Sequence, residues 1–122
     1  MIIKKVIILG AEYTIKIIEN KDEITEDVSF LKDNWGFTRY YTKSIYIDAT
    51  PSPHNYENNE YYHKERINET IRHEIIHAFL LESGLSSSTE PVDAWAKNDE
   101  MVDWFAMQST KIFKVFEKLD LM

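Results

Sequence analysis

The spacing of apolar positions changes character along the chain. Lys4 to Leu9 and Glu12 to Ile18 are rich in isoleucine and valine and are separated by Gly10-Ala11, which predicts two strands joined as a hairpin. The following stretch, ENKDEITEDVSFLKDNWGF, scatters apolar residues among charges with no sustained period, so a loop with one short helical turn is expected, Trp35-Gly36 marking a turn. Arg39 to Thr50 is dense in aromatic and β-branched residues, and Ile45 and Ile47 alternate with Ser44, Tyr46 and Asp48, which predicts a third strand. PSPHNYENN then breaks the pattern as a surface loop. From about Asn58 to Ser83 the period becomes helical: Ile67, Ile71, Ile75, Ala78 and Phe79 form one stripe, and Ile76 and Leu80 widen it enough to predict a buried helix. Gly84 is placed to cap that helix, SSSTEP makes a polar connection, and a last helix is expected from Val92 to Leu119 with Val102, Phe105, Ile112, Phe116 and Leu119 on its core side. The sum is α+β, a small antiparallel or mixed sheet packed on two helices.

Composition narrows the function. At 122 residues, 43% hydrophobic and 29% charged, the chain reads as one globular domain spanning residues 1–122. A formal charge of -7 argues against a nucleic-acid surface, because phosphate contacts need clustered cations. The absence of cysteine excludes disulfides and cysteine-ligated zinc. Glu12, Lys16 and Glu19 interrupt the early apolar run, so no signal peptide is expected, and no stretch has the length of a membrane span; a soluble, cytoplasmic protein is the expectation.

The chemistry sits in RHEIIHAFLLESG. His73-Glu74-Ile75-Ile76-His77 puts two imidazoles one helical turn apart on one face, where both reach a single zinc ion. Glu74, next to the first histidine, is placed to take a proton from a water attacking a carbonyl. The alternative is a pair of solvated or backbone-bonded histidines. The motif lies in the middle of a very apolar helix, where two unliganded histidines and a glutamate would be costly to bury, and a metal removes that conflict.

A hydrolytic zinc site has three protein ligands and one open position. Leu80 and Ser83 stand where the glycine and third histidine of the longer HExxHxxGxxH pattern would be, so that subclass is excluded. A carboxylate from the last helix remains, and KNDEMVDWFAMQ offers Asp99, Glu100 and Asp103. Glu100 is the expected third ligand, with Asp103 an alternative ligand or the acceptor of an imidazole N–H.

The Trp-Gly turn, the I-x-I-D strand, ET-I-R-HEIIHAFL and the later DEMVDWFA together resemble the small gluzincin-type metallopeptidases of phages and mobile elements, related to the ImmA/IrrE and SprT-like groups, from about Trp35 to Met107. The resemblance implies a minimal zincin-like fold, zinc on His73, His77 and Glu100, and Glu74 as general base. It also implies that Ser44 to Asp48 lies at the rim of the cleft, where an exposed edge pairs with an extended peptide; packing under the helix is the equal alternative. Oxyanion stabilisation has candidates in His54, Tyr56, Tyr61, Tyr62 and His63, none singled out.

The leading expectation is a zinc-dependent peptidase of narrow specificity acting on a cytoplasmic protein. A non-catalytic metal-binding regulatory protein with the same fold, or a metal-free structural domain, are the alternatives. Neither a nucleic-acid nor a membrane partner is expected, and oligomeric state does not follow from the sequence.

Overall fold

The structure is a computed structural model that describes residues 1–51, 60–86 and 98–121. It contains four strands, β1 (Ile2–Ile8), β2 (Ala11–Ile18), β3 (Gly36–Arg39) and β4 (Ser44–Asp48), and two long helices, α1 (Glu60–Glu82) and α2 (Asp99–Lys118). The strands form one mixed sheet in the order β1-β2-β4-β3. The α+β architecture expected from the sequence is therefore present, with one strand more than the apolar pattern suggested.

The first hairpin turns at Leu9-Gly10, one residue before the expected position. Leu9 has φ 48° and Gly10 has φ 86°, the two left-handed residues of a tight two-residue hairpin turn, and Ile8 faces Ala11 across it. The strand predicted within Arg39–Thr50 is present as β4, and an unpredicted strand, β3, precedes it; the two are an antiparallel pair joined by Tyr40 to Lys43, and Lys43 closes the turn at φ 50°. Gly36, expected in a turn, opens β3. Between β2 and β3 the charged segment forms two stretches of 3₁₀ helix, Lys21–Glu23 and Glu26–Lys32, instead of one turn.

That connection crosses one face of the sheet and covers it. Val28 and Leu31 are buried there against Ile18 and Tyr46, with Phe37 packed beside them. On the other face Tyr13, Ile15, Ile17, Ile45 and Ile47 meet Ile67, Ile71, Ile75 and Ala78 of α1. Alternation along the strands sends neighbouring residues to the two cores.

Because β4 lies between β2 and β3, Ser44 to Asp48 is not an edge; all five of its residues are buried, as the packing alternative required. The edges are β1 and β3. α1 is also less enclosed than its composition implied: Glu74 and Ala78 are its buried residues among those described, and Phe79 is 43% exposed. The sheet covers one side of α1 and α2 part of another.

The expected core stripe of α2 holds at Val102 but not at Phe105 or Leu119. Val102 and Ala106 are fully buried, whereas Phe105 and Leu119 are exposed; the side chain of Phe116, and residues 92–97 of the predicted helix, lie outside the described residues. Its N-cap is Asn98, whose Oδ1 accepts the Met101 amide at 3.1 Å. Gly84, at φ 79°, ends α1 as expected, its amide bonded to the Leu81 carbonyl. Among the described residues no helix is long and apolar enough to cross a membrane.

Candidate metal centre

α1 carries His73 and His77 on the side turned to α2, and Glu74, one residue or ~100° further round, on the side turned to β3. α2 meets the histidines with a matching pair: Asp99 and Asp103 are also four residues apart, so the two helices present i, i+4 sets to each other. His77 Nε2 lies 3.0 Å from Asp99 Oδ1, and His73 Nδ1 lies 2.5 Å from Asp103 Oδ1.

The second contact decides what the first ring offers. A carboxylate at Nδ1 places the imidazole proton there, leaving the Nε2 lone pair free. That Nε2 points to the same spot as its neighbours, 3.0 Å from His77 Nε2 and 3.6 Å from Asp99 Oδ1. Two imidazole nitrogens and one carboxylate oxygen thus form a triangle with sides of 3.0, 3.0 and 3.6 Å. Ligand atoms about 2.0–2.1 Å from a tetrahedral zinc stand about 3.3 Å from one another. The donor types and spacings fit such an ion. Among the described residues, His73, His77 and Asp99 are the group able to hold one.

The expected third ligand differs from this arrangement. Glu100 is exposed and is not part of the group; Asp99, also exposed at 75%, is the α2 carboxylate whose oxygen lies beside the two imidazoles. Asp103 takes the supporting role that the sequence left open. The face of α2 against α1 carries Asp99, Val102, Asp103 and Ala106, spaced i, i+3, i+4, i+7, and Glu100 lies ~100° round the helix from Asp99. The DxxxD spacing that mirrors HxxxH was the signal in the sequence for this pair.

Glu74 is 5% exposed, and its Oε1 is 3.9 Å from His73 Nε2. Burial pushes its carboxyl above the usual range, against the downward pull of a Thr38 hydrogen bond and of the two imidazoles. Its close neighbour is Gly36: a Cβ there would stand 2.9 Å from Thr70 Cγ2, 3.0 Å from the Tyr46 carbonyl and 3.1 Å from Glu74 Cγ. Only glycine lets β3 come this near α1.

Clefts open on both sides of the group. One, about 500 Å³, is lined by Phe30, Phe37, Thr38, Arg39, Leu81 and Ser86 among others; its neighbour, about 430 Å³, by Trp35, Arg66, Glu69 and Thr70. The Arg66 guanidinium sits over the Trp35 ring, 3.7 Å from its centroid, and donates to the carbonyls of Asp48 and Thr50. Tyr61, Tyr62 and His63 are not among the lining residues of either cleft, and Tyr61 and Tyr62 pack on each other at the exposed start of α1. His54 and Tyr56 lie outside the described residues. Thr38, Gly36 and Arg66 carry no sequence signature, because their roles exist only once β3 and α1 are side by side.

No protein-family model, curated protein or solved structure matches this chain.

Proposed function

We propose that the protein is a zinc-dependent peptidase with a minimal zincin-like fold, related to the gluzincin-type enzymes, in which His73, His77 and Asp99 hold the metal. The observation that carries this reading is the convergence of those three donor atoms beside a buried glutamate whose carboxyl is shifted upward. Zinc in such a site lowers the pKa of a water and polarises a substrate carbonyl.

The chain's own residues supply the rest. Asp103 keeps the His73 proton on Nδ1, so that Nε2 remains a donor. Glu74 takes the proton of the attacking water as its oxygen bonds to the carbonyl carbon, and returns a proton to the amine nitrogen when the C–N bond breaks. β3 is an edge strand among the described residues and lies along the cleft, so an extended segment of a cytoplasmic protein pairs with it through backbone hydrogen bonds.

The test is elemental analysis of the purified protein with a cleavage assay on a mixed-sequence, internally quenched peptide pool. Zinc at one ion per chain is expected, and Glu74→Gln should retain it while losing at least about 100-fold in cleavage. Zinc in both forms and cleavage by neither would favour a non-catalytic metal-binding protein. No zinc in either would overturn the proposal.

A further inference from the structure

The four residues of β3, Gly-Phe-Thr-Arg, divide by side. Phe37 and Arg39 face the 3₁₀ segment, where Phe37 stacks on Tyr46 at 4.9 Å and the Arg39 guanidinium covers Phe30, Phe37 and Tyr46. Gly36 and Thr38 face α1. The large pair fastens the strand from behind, and the small pair lets it approach the helix.

Thr38 is the polar member of the small pair. Its Oγ1 is 2.6 Å from Glu74 Oε2 and 3.1 Å from the Glu74 main-chain carbonyl. A hydroxyl has one proton to give, and the shorter, charge-assisted contact receives it while Glu74 is ionised. A β-branched side chain in a strand has few rotamers, so the direction of that donor is fixed. With Oε2 held, Oε1 is the oxygen turned to the metal group, 3.9 Å from His73 Nε2.

We infer that Thr38 is a positioning residue: its hydroxyl fixes the Glu74 carboxylate with Oε1 aimed at the His73/His77/Asp99 group, so the edge strand that borders the substrate also sets the base. The catalytic half of this inference rests on the peptidase reading. The positioning half rests on the β3–α1 geometry alone. A glutamate with three side-chain torsions that lost this partner at Oε2 would divide its time among rotamers, most of them not aimed at the group.

The experiment compares Thr38→Val, which keeps the shape without the hydroxyl, with Thr38→Ser, which keeps the hydroxyl. In the zinc-loaded protein, NMR couplings of Glu74 should report one rotamer in the wild type and Thr38→Ser, and averaging in Thr38→Val. On the peptide pool, Thr38→Val should lose roughly 10- to 100-fold in kcat with KM and zinc affinity within about two-fold, and Thr38→Ser should recover most of it. A Thr38→Val protein with an unchanged Glu74 rotamer, or with unchanged kcat, would overturn the inference. So would equal loss in Thr38→Ser. If wild-type protein cleaves nothing, the peptidase reading fails by itself, and the rotamer comparison still decides whether Thr38 holds the carboxylate.

Discussion

The two helices that meet at the metal group are held in very different ways. α1 is pinned along its length: Arg66 donates to the carbonyls of Asp48 and Thr50 at the end of β4, Glu74 is bonded to Thr38, Glu82 accepts from Tyr13 and Lys43, and Ile67, Ile71 and Ile75 lie on the sheet. α2 packs on α1, fully burying Val102 and Ala106, and is tied by the Arg72 side chain to the Ala106 carbonyl at 2.7 Å and by two carboxylates to two imidazoles. Trp104, Phe105, Met107 and Phe113 remain exposed, and an apolar groove lined by Ile76, Phe79, Leu80, Met101 and Phe113 runs between the helices. The two histidines of the candidate group therefore come from a helix tied directly to the sheet, and Asp99 from a helix that packs on α1. On the proposed metal-binding reading, zinc binding and the docking of α2 are expected to be coupled.

The largest expected effect follows from that coupling. Removing zinc with a chelator should lower amide-exchange protection across α2 far more than across the middle of α1. His77→Ala should weaken zinc binding on the order of 10³-fold and leave an α2 that no longer responds to the metal, measured by calorimetric titration with hydrogen exchange. Equal protection in both helices with and without zinc would show that α2 docks unaided.

A smaller effect separates the two carboxylates at the start of α2. Asp99→Asn should cost about 10- to 100-fold in zinc affinity, whereas Glu100→Gln should stay within about three-fold, as read by competition with a chromophoric chelator. The reverse order would restore Glu100 as the ligand and require α2 to turn by one residue.

On the platform side, Gly36→Ala should destabilise the metal-free protein by about 1–3 kcal/mol in urea unfolding, because the new Cβ meets Thr70, the Tyr46 backbone and Glu74 within 3.1 Å. A neutral outcome would mean that β3 retreats from α1 without loss.

The least effect is expected at the C-terminal end of α1, where hydrogen bonds from Lys43 and Tyr13 hold the Glu82 carboxyl below its usual range. A depressed pKa gives a contribution present above the ordinary glutamate value and lost as pH falls through the folded-state value. The difference in Tm between the wild-type protein and Glu82→Gln should therefore shrink on acidification. A constant difference would remove the charge from the account of that anchor.

Much of the site was legible because helix periodicity is local. HEIIH places its imidazoles one turn apart wherever the helix lies, and the apolar stripe Ile67-Ile71-Ile75-Ala78 gives the face that meets the sheet. The rotation of α2 was not legible in the same way. Its apolar residues suggest a core side running from Val102 through Phe105 and Ile112, yet the close approach of two helices favours small side chains, and Ala106 joins Val102 there while Phe105 is exposed. One residue of rotation, ~100°, exchanges Glu100 for Asp99.

The order of residues alone determined the paired imidazoles, the neighbouring acid, the hairpin of β1 and β2, and the α+β class, since each depends on spacings of a few residues along one segment. Only the tertiary structure decided that β4 is interior, that β3 borders the site, that Thr38 meets Glu74, and that Asp99 faces the histidines. Those outcomes depend on how separate elements pack, and packing is set by shape and volume between segments distant in the chain, which no local pattern encodes.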